Sequence, residues 1–182
     1  DNGGNNLKVL AQTLSKSHTG TDDLFLNGGF VMTHFLAADA AAGKHSVAIV
    51  GLPIEHNGRL YNCAAVIQNG VIAGIVPKQQ LANYREYSEK RFFSSGRGVN
   101  DVLLIGDRAV PFGSTLLFDS GDFAFGVEIC EDLWSVSPPS DQLALAGTTA
   151  IFNSACCTET AGKAALRADL IKAQSRKLCC AY

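Results

Sequence analysis

Cys130 and Lys78 are the two residues whose type and setting could do chemistry together. Cys130 closes the mostly apolar run Phe123-Ala124-Phe125-Gly126-Val127-Glu128-Ile129 and is followed by Glu131-Asp132-Leu133-Trp134. A thiol at a strand end, on a sharp turn, projects from the sheet while backbone N–H groups converge beside it. A nucleophile that needs an oxyanion site has these requirements. Lys78 likewise follows an apolar run, Val71 through Val76, and Pro77. An ammonium at a strand edge can lower a thiol's pKa and neutralise developing negative charge. Each residue alone has an ordinary explanation, since strand-end cysteines are commonly small buried hydrophobes and most lysines are solvated. The segment after Lys78, residues 79–93, mixes charge with aromatics and taken alone reads as an exposed loop with ordinary ion pairs.

Other catalytic schemes find less support. None of His18, His34, His45 and His56 has a strand-end setting like that of Lys78 or Cys130. There is no G-x-S-x-G elbow, no phosphate-cradling P-loop and no G-x-G-x-x-G fingerprint. The six cysteines are Cys63, Cys130, Cys156, Cys157, Cys179 and Cys180, two adjacent pairs among them and no paired C-x-x-C spacing for zinc. Without a secretion signal they read as reduced thiols, most of them small buried hydrophobes. No metal or cofactor is implied.

The elements that must position these residues belong to a chain of globular composition. Its 182 residues suffice for one domain with a core, and 47% hydrophobic against 18% charged residues is far from the disordered range. A net charge of −2 gives no electrostatic reason for a nucleic-acid or anionic-membrane partner. No apolar run approaches the roughly 20 residues that span a bilayer. The Gly/Asn-rich residues 1–6 are the wrong chemistry for a secretory signal, so a cytoplasmic location is expected.

Along the chain, residues 1–22 give no firm element beyond Leu7-Lys8-Val9-Leu10. Asp22 or Asp23 could cap a helix reaching about Ala42. Val47-Ala48-Ile49-Val50-Gly51-Leu52 reads as a strand covered on both faces. Asn57-Gly58 and Asn69-Gly70 are hairpin signals separating three strands, the last ended by Pro77. Further strands are expected at 102–105, 114–118 and 122–129, with Ser120-Gly121 turning between the last two. A short helix is expected at about 140–146 and a strand at 148–152. A basic amphipathic helix is expected over 162–182, with Leu166, Leu170, Ala173 and Leu178 on its apolar side. Hairpins followed by alternating helices and strands predict an α/β fold, a mixed sheet covered by helices.

The motifs also carry a resemblance. Val76-Pro77-Lys78 followed by Leu81-Ala82-Asn83-Tyr84-Arg85-Glu86-Tyr87-Ser88-Glu89-Lys90-Arg91-Phe92-Phe93 resembles the lysine segment of the nitrilase superfamily. Gly126-Val127-Glu128-Ile129-Cys130-Glu131-Asp132-Leu133-Trp134 is similar to its cysteine elbow. The particular form resembles the glutaminase domains of glutamine-dependent NAD synthetases, with further support from Gly51-Leu52-Pro53, 60–67 and Val110-Pro111-Phe112-Gly113. The similarity runs from about Thr21 to Tyr182, in the right order.

The resemblance implies a nitrilase-like α-β-β-α sandwich of mixed sheets, usually dimerised, with residues 1–182 as one glutaminase domain and 1–20 divergent. It implies a Glu–Lys–Cys triad that hydrolyses the glutamine side-chain amide through a cysteine thioester. By motif position Cys130 is the nucleophile and Lys78 the oxyanion lysine, with the backbone N–H of Glu131 as a second donor. Glu89 matches a glutamate that positions the lysine, and Tyr84 lines the substrate pocket. Cys157 stands where a serine helps hold substrate. The general-base glutamate has no counterpart: its place falls on Thr13, and no glutamate occurs before Glu55. The family's first strand and helix, its last strands and its ATP-using synthetase domain also have no counterpart, so the fold is expected to be incomplete at both ends. Unpaired edges would favour a homo-oligomer, and a synthetase could be a separate domain or chain. Three functions fit this pattern: a glutaminase supplying ammonia for NAD synthesis, a free-standing small-amide amidase, and a non-catalytic relic or assembly module.

Overall fold

The computed structural model describes residues 8–12, 46–68, 71–119 and 123–182, with 8–12 and Ser46 described in backbone only. The expected helix before Ala42, the Asn69-Gly70 and Ser120-Gly121 turns, and Thr13 lie outside the described residues.

Six strands form one mixed sheet: β1 (Lys8–Gln12), β2 (Ser46–His56), β3 (Arg59–Gln68), β4 (Val71–Pro77), β5 (Asn100–Ile105) and β6 (Arg108–Gly113). Their order is β1-β2-β3-β4-β6-β5. Because β1 runs parallel to β2 and the β2-β3-β4 meander is antiparallel, β1 and β4 both end at the same edge of the sheet. Asn57 and Gly58 turn the β2-β3 hairpin with φ of 52° and 69°, the double positive φ that Asn-Gly adopts readily. A second sheet, β7 (Leu117–Asp119), β8 (Ala124–Glu128) and β9 (Ala150–Asn153), has order β7-β8-β9.

The continuous apolar run of β2 is buried on both faces. Val47 and Ile49 join Ala64, Val66 and Val76 against Phe125, Val127 and Ile129, the seam between the sheets. Val50 and Leu52 point the other way, into a cluster with Cys63, Ala65, Ile75 and Phe112. Strand alternation over period 2 delivers both sets from one sequence. Helix α1 (Pro139–Leu145) covers the far side of the second sheet, where Leu143, Ile151 and Cys180 pack together. Helix α2 (Lys163–Leu178) follows β9. No helix among the described residues is long and apolar enough to cross a membrane.

Three expectations need correction. Of the strand foreseen at 114–118 only Leu117 and Phe118 are extended, in β7, and an unforeseen strand, β6, comes before it. Pro111 is tolerated in β6 because that strand meets β4 only at Ile75↔Phe112 and pairs fully with β5 alone. On α2 the buried residue is Gln174, whereas Leu166 is 59% exposed. The Gln174 amide donates to Ser140 Oγ at 3.1 Å and Asp141 Oδ1 at 2.8 Å, so polar contacts dock the helix on α1. Of the cysteines only Cys63 and Cys180 are buried, while Cys156 and Cys179 are exposed.

Candidate active site

Cys130 leaves β8 with φ of +50° and opens a single 3-10 turn, Cys130–Trp134. A left-handed backbone at a non-glycine residue is strained and needs its surroundings to hold it. Asn153, at the end of β9 and in register with Glu128, provides one hold, since its Oδ1 accepts the Cys130 N–H at 2.9 Å. Asn153 is fixed in turn by Glu128, whose carboxylate accepts from Asn153 Nδ2 at 3.3 Å, from Ser140 N at 2.9 Å and from the Tyr182 hydroxyl. Glu128 is fully buried, and this set of donors satisfies it.

Lys78 follows Pro77 at the end of β4, and its N–H donates to Asn62 O at 2.8 Å. Its side chain is 2% exposed and its ammonium meets Glu89 Oε2 at 2.5 Å. Glu89 also accepts from Ala82 N at 2.7 Å and from Asn62 Nδ2 at 2.8 Å. A buried ion pair is worthwhile only when its remaining valences are filled in this way. Gly96 packs over the junction: a Cβ there would lie 2.6 Å from Pro77 Cβ and 2.9 Å from Lys78 O.

Asp132 joins the two halves. It is 1% exposed; Oδ1 accepts from Gln79 N at 3.1 Å and Gln80 N at 2.7 Å, and Oδ2 accepts from Ile129 N at 2.9 Å. Burial pushes its carboxyl up to about 7, with the Ile129 and Gln80 N–H groups opposing. Asp132→Ala would leave three backbone donors without their acceptor and is expected to cost roughly 3 kcal/mol in urea denaturation. A loss under about 1 kcal/mol would mean that water or a shifted loop replaces the carboxylate.

The Cys130 thiol is half-buried. Burial pushes its pKa up to about 12, the Lys78 charge pulls it down, and the neighbouring Cys157 pushes it further up. Cys157 Sγ lies 3.6 Å from Cys130 Sγ. Around them, the Tyr84 hydroxyl donates to Glu131 Oε2 at 2.9 Å, and Tyr87 stands edge-on to Tyr84 with centroids 5.8 Å apart. The Tyr87 hydroxyl contacts Thr158 Oγ1 at 2.9 Å and accepts Thr158 N–H at 2.8 Å. The loop after Lys78 is thereby stitched to the loop that carries Cys156 and Cys157. An open cavity of about 530 Å³ adjoins, lined by Tyr84, Arg85, Trp134, Thr160, Gly162 and Lys163 among others.

Lys78, Glu89, Tyr84, Cys130, Glu131 and Cys157 thus lie on converging segments. Thr13 cannot be placed, as it lies outside the described residues. His56 pairs with Asp101 at 2.7 Å beside the β2-β3 turn, not with Cys130. Sequence reasoning overlooked Asp132, Asn153, Asn62 and Glu128. Asp132 and Glu128 were visible as acids inside the elbow motif; Asn153 and Asn62 gave no signal of their own. Among the described residues no group of three or more His, Cys, Asp or Glu is arranged to hold a metal ion.

Known proteins share this arrangement of strands. The glutamine-dependent NAD(+) synthetase of Mycobacterium tuberculosis (strain ATCC 25618 / H37Rv) is 41% identical over 139 residues, 75% of this chain and 20% of that protein. The crystal structure of a glutamine-dependent NAD(+) synthetase from Cytophaga hutchinsonii superposes with a TM-score of 0.78 at 28% identity, covering 95% of this chain and 29% of that one. A carbon-nitrogen hydrolase from Helicobacter pylori G27 gives 0.66 at 16% identity over 92% of this chain and 56% of that one, a likeness of fold alone. The mixed sheets are the α/β sandwich of these nitrilase-like structures. The chain spans about a fifth of the length of the curated relatives it matches. A family profile described as carbon-nitrogen hydrolase matches residues 23–176, and the chain belongs to that family.

Proposed function

We propose that this chain hydrolyses the side-chain amide of glutamine through a thioester on Cys130, releasing ammonia for an NAD synthetase domain of the same or another chain. The observation that carries the reading is the buried Lys78 ammonium, locked on Glu89 at 2.5 Å while its charge acts on the Cys130 thiol. In this reading Cys130 Sγ attacks the amide carbon, and Lys78 with the Glu131 N–H stabilises the oxyanion. Glu89 holds Lys78 in place. The Glu131 carboxylate, oriented by Tyr84, offers an acceptor for the α-ammonium of glutamine, and Cys157 borders the same space.

A second reading, a relic that keeps the fold without turnover, is favoured by one observation: the ungapped motif alignment puts Thr13 at the base position. The pH dependence separates them. With the thiol near pKa 12 and no base to take its proton, alkylation of Cys130 by a glutamine-mimicking electrophile is expected to rise about tenfold per pH unit between pH 7 and 9. A carboxylate acting as base would instead give a plateau. The experiment measures this labelling, and ammonia release from glutamine, with Cys130→Ala as control. Labelling that persists in Cys130→Ala, or no Cys130 labelling at any pH, would overturn the glutaminase reading.

A further inference from the structure

Two thiols in van der Waals contact beside a buried cation are more than a substrate pocket requires. Cys130 Sγ and Cys157 Sγ are 3.6 Å apart, and both residues are half-buried. A disulfide needs about 2.05 Å, so a closure of only about 1.5 Å separates the contact from a bond. Residues 154–160 form no helix or strand, so no backbone ladder holds Cys157; one residue on, Thr158 bonds Tyr87. The other end is fixed, because Asn153 and Asp132 clamp the backbone of the Cys130 turn. Cys156, one residue away, is exposed and touches Cys130 Sγ through its carbonyl oxygen, at 4.0 Å, rather than through its thiol.

We propose that Cys130 and Cys157 form a reversible oxidation site for a hydroperoxide, with Cys157 as the resolving thiol. The Cys130 thiolate attacks the distal peroxide oxygen, the O–O bond breaks, and an alcohol, or water from hydrogen peroxide, leaves with a proton. The product is a sulfenic acid on Cys130. Cys157 sulfur then attacks the Cys130 sulfur, the S–O bond breaks, and the hydroxyl departs as water with the Cys157 proton. Two thiols are oxidised by two electrons and one peroxide is reduced. Resolution by a neighbour also protects Cys130 from irreversible further oxidation. Lys78 stabilises the thiolate that starts the sequence, while burial keeps that step slow at neutral pH. The site rests on the proposed reading of Cys130 as the reactive thiol, and the bridge closes the nucleophile until a dithiol breaks the S–S bond by exchange, leaving as its own disulfide and returning both cysteines to thiols.

Treatment of the protein with hydrogen peroxide at mildly alkaline pH, thiol blocking and digestion after acidic residues tests this by mass. Cuts at Glu128 and Glu131 isolate Cys130, and cuts at Asp141 and Glu159 release the fragment with Cys156 and Cys157. The expected product joins the two fragments in the unmodified protein and in Cys156→Ser, and is lost in Cys157→Ser. In Cys157→Ser, Cys130 should instead carry two or three oxygens and remain unreactive after reductant, whereas the unmodified protein recovers its Cys130 labelling. Over-oxidised Cys130 without a bridge in the unmodified protein, an undiminished bridge in Cys157→Ser, or a Cys130 that stays reduced would each overturn the proposal. The glutaminase reading is judged separately, by ammonia release and electrophile labelling before oxidant. A bridge without either leaves the oxidation site standing and removes that reading; labelling without a bridge does the reverse.

Discussion

Lys78→Met will lose both stability and Cys130 reactivity, and the two losses will separate in a second variant. Lys78 is 2% exposed and Glu89 14%, so removing the ammonium leaves a carboxylate nearly without solvent. Breaking a buried pair from one side typically costs about 3–5 kcal/mol. The hydrogen bonds from Asn62 and Ala82 remain on Glu89 and bring the expectation to the lower end, about 3 kcal/mol. For chemistry, loss of one oxyanion donor lowers acylation by roughly 10²–10³-fold, and loss of the charge that opposes burial raises the thiol's pKa further. Lys78→Met/Glu89→Gln removes the stranded charge, keeps an amide oxygen for the donors on Ala82 and Asn62, and should regain part of the stability in urea denaturation. It should regain none of the Cys130 labelling rate or ammonia release. A double variant that recovers reactivity would reduce Lys78 to a structural role and remove the catalytic assignment.

What the sequence made legible follows from the range of each signal. Val47 to Leu52 announced a doubly covered strand because period-2 alternation with apolar residues at every position has few other outcomes. Asn57-Gly58 announced its turn because both positions require positive φ. The Cys130 elbow and Lys78 were legible as strand ends, whereas Glu89 came only through the resemblance of its loop to the family's lysine segment. The clamp between those halves was not. Asp132 meets Gln79 and Gln80 across 53 and 52 positions, and Asn153 meets Cys130 across 23. Nothing local in an aspartate or asparagine reports a backbone partner that distant. The same holds for Gln174, whose helical neighbours gave an apolar pattern while its amide found Ser140 and Asp141 on α1. The contact of Cys157 with Cys130 is legible only once the parallel pairing of β8 with β9 sets the two loops side by side.

Thr13→Glu is expected to raise Cys130-dependent ammonia release from glutamine by about 10²–10⁴-fold, the usual contribution of a positioned general base. The expectation begins with the thiol. Burial holds Cys130 near pKa 12 even with Lys78 opposing, so at neutral pH almost none of it is thiolate. Each turnover needs a proton taken from the thiol and later one taken from the water that hydrolyses the thioester. A threonine hydroxyl does neither near pH 7. The choice of position rests on the sequence alone, where the ungapped motif alignment puts the base on Thr13. A carboxylate introduced there would also change the pH profile in a defined direction. The rate should rise through the carboxylate's own pKa and then level, in place of the climb expected of the unmodified protein across pH 7–9. Ammonia release measured with and without Cys130→Ala, in both Thr13 backgrounds, decides the matter. Strong Cys130-dependent turnover with Thr13 intact would show that another carboxylate serves as base, and Glu131 and Glu89 would be the residues to replace next.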